Sequence, residues 1–385
     1  MAPRSGKAVV TGGGGYFGNR LAKRLAALGY DVVALDVQVE PAAGVEAVVG
    51  DVRDAKLLQG IFQGADVVFH TASYGMSMRE QLHTAIIHAV NVQGTDNVVA
   101  ACIACGVPSL VYTSTYNTVF GGVEIVAGDE SLPLFPLDAH CDAYSRTKAL
   151  AEQAVLAADG ARHVEKDGDP GRGRLHTTAL RPAAIYGAGE RRHLPRTVEN
   201  ARRGWYKCTF GKPSSLTDMV HVDNLVEAHV LAARSLAHAN GGEAAGQAYF
   251  ISDGSPINMF RFFEPLLVGL GFPTPHLRLP LLVVYCLAWL TELIWRVVHP
   301  VWDFEPLLVR AEVLKVGVTH YFSIDKARTE LGYAPISTDL VQCGALEWFL
   351  ERMPEERPRG RGGSVLFVLA ALIGVFLVLH ALLRA

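Results

Sequence analysis

Residues 7–29 read KAVVTGGGGYFGNRLAKRLAALG, and this stretch decides the fold. A short β-type run, KAVVTGG, leads into TGGGGYFG at 11–18. Helical spacing follows over Phe17 to Leu28 and stops at Gly29. Gly12, Gly15 and Gly18 stand three apart. The first permits a sharp turn off the strand, the second lets backbone approach a pyrophosphate, and the third lets helix pack on strand. The helix N-terminus presents unpaired N–H groups and partial positive charge to phosphates. The next strand, DVVALD, closes on Asp36, 24 residues after Gly12. A carboxylate there hydrogen-bonds the adenosine ribose and repels a 2′-phosphate. Val37 follows, with no arginine to welcome that phosphate, so NAD is expected rather than NADP.

Outward from this nucleus, strand and helix patterns alternate. Val67–His70, Leu110–Thr113 and Thr178–Leu180 are short apolar runs, separated by helical patterns such as Ile87–Ala104 and Tyr144–Ala158. This alternation predicts an α/β, doubly wound parallel-sheet Rossmann fold. Asp51 and Val52 follow the third strand, where an acid either meets the adenine or is a surface turn residue. The predicted organisation is an NAD-binding domain over 6–185, with returns near 218–252, and a smaller C-terminal substrate lobe over 186–350. A linker at 351–363 and a C-terminal transmembrane helix at 364–383 complete it. The charged, Gly-rich stretch 159–174 is expected to be an exposed loop.

Tyr144 and Lys148 lie in YSRTK, at i and i+4 of a predicted helix, and so share one face. An ammonium beside a phenol favours phenolate, which can take an alcohol proton as hydride leaves. Bringing a tyrosine from about 10 to near 7 needs roughly 4 kcal/mol of differential interaction, part of which a positive nicotinamide ring can supply. Thr113-Ser114-Thr115 ends a strand at the carboxyl edge of the sheet, where a hydroxyl can hold the reacting oxygen.

Composition narrows the partners. The chain has 385 residues, a formal net charge of −3, 50% hydrophobic residues and a mean hydropathy of +0.22. No basic nucleic-acid-binding character is present, so nucleic acid is excluded as a partner. Six scattered cysteines, including the C-x-x-C of Cys102 and Cys105, make neither a disulfide framework nor a zinc site, and no metal is expected. Ser364 to Leu383 is a run of twenty residues without charge, about 30 Å as a helix. Arg352, Arg357, Arg359 and Arg361 precede it and Arg384 alone follows, which places the body on the cytosolic side. Leu279 to Val298 is apolar but carries Glu292 and Arg296, one turn apart. It is expected to lie in the membrane interface, with those two on a polar face, rather than to span.

The ordered set TGGGGYFG, Asp36, DVRD at 51–54, HTAS at 70–73, NVQGT at 91–95, YTSTYNTVFGG at 112–122, YSRTK, LRPAAIYGAGE at 180–190 and VHVDNLVEAH at 220–229 resembles the extended short-chain dehydrogenase/reductases. The resemblance spans roughly residues 7–350. Within that superfamily the apolar C-terminal half is similar to the 3β-hydroxysteroid dehydrogenase/isomerase family and its 42E branch. The resemblance implies that Tyr144 is the proton acceptor or donor and that Lys148 lowers its pKa and holds the nicotinamide ribose. It implies that Thr115 is the substrate-binding hydroxyl, with Ser114 open by the alternative spacing from Val119-Phe120-Gly121. Asn91 is the supporting helix asparagine. Gly12, Gly15, Tyr16, Phe17, Gly18, Asp36, Asp51, Val52, Ala72, Pro182 and Ile185, with Tyr144 and Lys148, form the NAD contacts. The implied activity is NAD-dependent oxidation of a steroid or sterol 3β-hydroxyl, with coupled double-bond isomerisation admitted. Alternatives are a decarboxylating sterol-4-carboxylate 3-dehydrogenase, a nucleotide-sugar epimerase or dehydratase, and a non-catalytic NAD-binding membrane scaffold. Expected partners are an apolar small-molecule substrate and a lipid bilayer, with a homodimer left open. The expected location is the endoplasmic reticulum membrane with the catalytic body facing the cytosol.

Overall fold

A computed structural model describes residues 6–76, 80–164, 173–298, 308–336 and 338–352. The linker beyond Arg352 and the predicted transmembrane helix at 364–383 lie outside the described residues. The strands are β1 (Lys7–Thr11), β2 (Asp31–Asp36), β3 (Val45–Val49), β4 (Val67–His70), β5 (Ser109–Thr113), β6 (Ile125–Gly128), β7 (Ala161–Arg162), β8 (Arg174–Pro182), β9 (Ala184–Tyr186), β10 (Cys208–Phe210), β11 (Met219–His221), β12 (Gln247–Ile251), β13 (Leu277–Leu279) and β14 (His320–Phe322). The helices are α1 (Tyr16–Ala27), α2 (Ala55–Phe62), α3 (Thr84–His88), α4 (Gly94–Cys105), α5 (Ala143–Ala157), α6 (His193–Arg202), α7 (Val222–Leu236), α8 (Met259–Gly269), α9 (Leu281–Val298), α10 (Arg310–Gly317), α11 (Asp325–Leu331) and α12 (Ala345–Arg352).

Two compact units emerge. The first comprises the described residues within Met1–Ile185, Leu216–Pro256 and Thr319–Ser337. Its sheet runs β12-β8-β5-β4-β1-β2-β3, all parallel, with β7 added antiparallel to β8. The strand order reverses between β1 and β4. That reversal is the topological switch point, where open α/β sheets receive ligands outside their carboxyl ends. Helices α2, α4 and α5 pack together on the sheet, while α1 packs with α7. The central strands are buried along their whole length, as at β4 and β5, and so read as continuous apolar runs rather than alternating ones. Val9, Leu35, Leu58, Phe62, Val68, Val98, Leu110 and Val155 meet in one core cluster.

Two sequence expectations change here. Residues 319–336 do not belong to the second lobe. The His320 backbone N–H donates to the Leu216 carbonyl at 2.8 Å, and β14 pairs in parallel with β6 of the first unit. The supposed loop 159–174 is partly strand, because Ala161 and Arg162 pair with Leu175 and Arg174.

The second unit comprises the described residues within Tyr186–Ser215, Ile257–Val318 and Thr338–Ala385. Tyr186 meets Phe262 edge-on at 5.0 Å, and β10 pairs with β13. Helix α9 buries Val284 and Ala288 against Val313 of α10. Glu292, on that same inward face, accepts from the Arg310 backbone N–H at 2.7 Å and from its guanidinium Nε at 2.9 Å. Of the two charged residues expected on the outer face, Glu292 is therefore turned inward, while Arg296 is exposed. Leu282, Val283, Cys286, Trp289 and Leu293 are exposed on α9 and make an apolar stripe, which Arg296 closes at its C-terminal end. Among the described residues no helix is long and apolar enough to cross a membrane.

Candidate active site

The glycine loop is built by close contacts. Gly12 sits at φ +77°, in the left-handed region, and a Cβ there would stand 2.6 Å from the Ala72 backbone nitrogen. This is how Ala72, just past β4, is placed beside the loop. A Cβ on Gly18 would collide with the Gly12 carbonyl, so α1 packs on the turn as the fingerprint requires. Gly15, by contrast, is exposed, and its Cβ would meet only the Gly12 carbonyl oxygen, at 3.2 Å. That side of the loop is open for a phosphate to approach backbone. Gly15 also carries no side chain to cap α1, whose first-turn N–H groups have no intrahelical acceptor. Tyr16 opens the helix under the Arg20 guanidinium at 5.2 Å. The Phe17 ring turns inward against His229 at 4.7 Å, so only its backbone is available to a cofactor.

Asp36 ends β2 beside this loop and accepts from the Gly14 N–H at 3.0 Å. Asp51 is engaged differently. Its carboxylate takes the Arg53 guanidinium at 2.6 and 3.0 Å and the Arg53 N–H at 2.9 Å. The Arg53 hydrogen bonds hold it below the usual carboxylate range. Its side chain is thus already engaged by a neighbouring surface arginine. Val52 is buried in the core cluster, and a Cβ on Gly94 would lie 2.7 Å from it, so its side chain packs α4 onto the sheet. Pro182 ends β8 opposite Ile251, with half-buried Ile185 just beyond at the sheet's carboxyl edge.

Tyr144 and Lys148 stand on α5, whose N-terminus Asp142 caps by accepting from the Ser145 N–H at 2.7 Å. Both side chains are buried. Lys148 donates to the Thr113 carbonyl at 2.5 Å and lies 4.1 Å above the Tyr112 ring. Burial pushes the ammonium down to about 7, and Glu152 draws it back up. His70, hydrogen-bonded between Thr11 at 2.7 Å and Thr95 at 2.9 Å, is driven down to about 3 by burial and then by Lys148. A neutral imidazole is the form that can sit beside that cation.

The two strand-end hydroxyls separate clearly. Ser114 donates to Glu152 at 2.5 Å, into a buried ion pair with Arg181. Thr115 accepts from the Asn117 amide nitrogen at 3.0 Å and backbone N–H at 3.3 Å. Its own hydroxyl proton is left to donate, which is what an approaching alcohol or carbonyl oxygen needs. Asn91 lies in a π turn, Ala89–Gln93, that interrupts the helix expected over 87–104. Its amide accepts from the Tyr74 N–H at 2.8 Å and donates to the Tyr74 carbonyl at 2.9 Å and to Thr147 at 3.1 Å. Thr147 in turn donates to the Tyr144 carbonyl at 3.0 Å. Asn91 therefore positions the catalytic helix against the loop after β4 rather than touching reactants. Glu152 and Arg181 escaped the sequence reading. The available signal was spacing, since Glu152 is one further turn beyond Lys148.

Comparison with known proteins places this site in context. Residues 9–281 match the model of the 3-beta hydroxysteroid dehydrogenase/isomerase family. The chain is 51% identical to short-chain dehydrogenase/reductase family 42E member 1 of Bos taurus, over 91% of this chain and 88% of that one. It is 36% identical to 3beta-hydroxysteroid-dehydrogenase/decarboxylase isoform 2 of Arabidopsis thaliana, over 85% of this chain and 59% of that one. The solved structure of MoeE5 in complex with UDP-glucose and NAD has a TM-score of 0.66 at 22% identity, covering 90% of this chain and 99% of that one, which shows a shared fold.

Proposed function

The chain belongs to the 3-beta hydroxysteroid dehydrogenase/isomerase family, and from that premise we propose that it oxidises the 3β-hydroxyl of a steroid or sterol to the ketone. Its cofactor is NAD. Gly12, Gly15 and the N-terminus of α1 would hold the pyrophosphate, and Asp36 the adenosine ribose. Bound NAD supplies the hydride acceptor. Tyr144, as phenolate, takes the proton from the substrate hydroxyl, and Lys148 stabilises that phenolate. Thr115 donates to the substrate oxygen and fixes its distance from Tyr144. Asn91 keeps α5 in register with the loop after β4, and Asp142 caps the N-terminus of α5.

The observation that carries this reading is the complete set of Tyr144, Lys148 and Thr115 in a member of this family. An apolar substrate accords with the apolar stripe of α9 and with the uncharged run at 364–383. The latter anchors the body to the cytosolic face of the endoplasmic reticulum membrane, and the α9 stripe rests on the same leaflet. The test is to incubate membranes containing the protein with NAD and 3β-hydroxysterols, with and without a 4-carboxylate. Ketone and NADH are expected. A ketone lacking the mass of CO₂ would assign the decarboxylating variant. Oxidation of nucleotide sugars but of no sterol would overturn the substrate class.

A further inference from the structure

Behind Lys148 lies a buried ionic cluster that the chemistry above does not use. Tyr144, Lys148 and Glu152 stand at i, i+4 and i+8 on α5, so one helix face carries phenol, ammonium and carboxylate in sequence. The Glu152 side chain is 1% exposed. It accepts from Ser114 Oγ at 2.5 Å, from Arg181 Nη2 at 2.6 Å and from Arg181 Nε at 3.1 Å to each oxygen. A buried ion pair is rarely better for stability than apolar residues of the same volume. Its persistence one turn from a buried ammonium therefore calls for another account.

The groups facing Lys148 can be named from each element. Tyr144 and Glu152 come from α5, Tyr112 and the Thr113 carbonyl from β5, and neutral His70 from β4. Arg181 of β8 stands beyond Glu152. Of these, Glu152 brings the negative charge, and Ser114 and Arg181 clamp its carboxylate in place. We infer that Glu152 is a positioning residue for the reaction: its clamped carboxylate holds the Lys148 amine in the ammonium form and, through it, favours the Tyr144 phenolate. The inference rests on the roles proposed above for Tyr144 and Lys148. Burial alone drives Lys148 toward the neutral amine, and Glu152 opposes that drive. Glu152 also disfavours the phenolate directly, but from two turns, about 12 Å along the axis, so the nearer effect through Lys148 dominates.

The test reads Tyr144 itself, without substrate. The near-ultraviolet phenolate absorbance of the full-length protein is titrated against pH and the Tyr144→Phe trace subtracted. In Glu152→Gln the Tyr144 midpoint should move to higher pH by roughly one unit, a tenfold loss of phenolate at fixed pH. The acid limb of kcat for oxidation, where the phenolate is lost, should move to higher pH with it, while the KM for sterol changes little. Glu152→Asp, which keeps the charge, should restore most of the midpoint. Glu152→Gln leaves Arg181 buried without a counter-charge and can fail to fold. Glu152→Gln with Arg181→Gln removes both charges and should show the same alkaline move. A double variant that titrates like the wild type would mean that Glu152 serves only to neutralise Arg181, and would overturn the inference. An unmoved midpoint in folded Glu152→Gln would do the same. If the midpoint moves but no sterol is oxidised, the substrate reading fails and this one stands. If sterol is oxidised and the midpoint stays, the reverse holds.

Discussion

Ser114 and Thr115 are adjacent hydroxyls that the fold sends to different tasks. Ser114 points to Glu152, and Thr115 is held by Asn117 with its proton free to donate. Thr115→Val should therefore lower kcat by roughly 100-fold, the scale of losing one preorganised donor to a reacting oxygen. Ser114→Ala should leave turnover within about tenfold and instead cost about 2 kcal/mol of stability, since it removes a hydrogen bond to a buried charge. Steady-state kinetics and urea unfolding on both variants check this, and a larger kinetic loss for Ser114→Ala would reverse the assignment. The motif spacing alone left the pair open, because the deciding partner, Glu152, is 38 residues away in the chain. Asp51 was undecided for the opposite reason: its partner Arg53 is local, but a carboxylate in a turn looks the same on paper whether it meets a guanidinium or an adenine.

The helices were legible where periodicity and capping agree. Helix α5 begins at an Asp142 cap and presents Tyr144 and Lys148 on one face, as the i, i+4 spacing implies. The π turn at Ala89–Gln93 was not legible, because no local residue pattern distinguishes it from the α-helix on either side. In helix α9 a single residue, Glu292, departs from the expected arrangement, while Arg296 is exposed together with Trp289 and Leu293. A glutamate in an apolar helix suggests a water-facing stripe, yet Arg310, 18 residues on, draws Glu292 inward and leaves Trp289 and Leu293 outside. The membrane account makes a prediction at this scale. Deleting residues 364–385 should weaken membrane retention sharply but leave residual binding. Adding Trp289→Glu and Leu293→Glu should then release the protein from anionic vesicles in a flotation assay, because both substitutions place charge on the apolar stripe. Residual binding that survives both glutamates would exclude α9 as the second contact.

At the scale of the whole molecule, the strand–helix alternation and the glycine fingerprint sufficed for the parallel sheet and its switch point. The late return of 319–336 to the first unit was hidden because β14 is three residues long and its partner β6 lies far earlier in the chain. Buried titratable groups in this unit make its stability depend on pH. Burial lowers His70 to about 3 and His229 to about 4, and raises Asp218 to about 7. Below the ordinary histidine value of 6.5 the unfolded chain takes up two protons that the folded histidines refuse, so they cost stability as pH falls toward 4. Asp218 works oppositely: the folded chain holds its proton from about 7 downward, while the unfolded carboxyl takes one only near 3.8, so its effect favours folding at acid pH and is lost as pH rises through 7. Asp218→Asn removes that opposing effect. Its stability should fall more steeply than the wild type's between about pH 6 and pH 4, by about 1.4 kcal/mol per pH unit, as read by urea unfolding. Equal slopes would show that Asp218 is ionised in the folded protein. The most direct measurement of the central claim follows one hydrogen. The full-length protein is given NAD and a 3β-hydroxysterol carrying deuterium on the carbinol carbon, and both products are analysed by mass spectrometry. The account predicts a sterol ketone without the label and NADH with it, and neither product from a Tyr144→Phe protein that still binds NAD. Ketone formation undiminished in Tyr144→Phe, or no label transfer from any sterol tested, would contradict it.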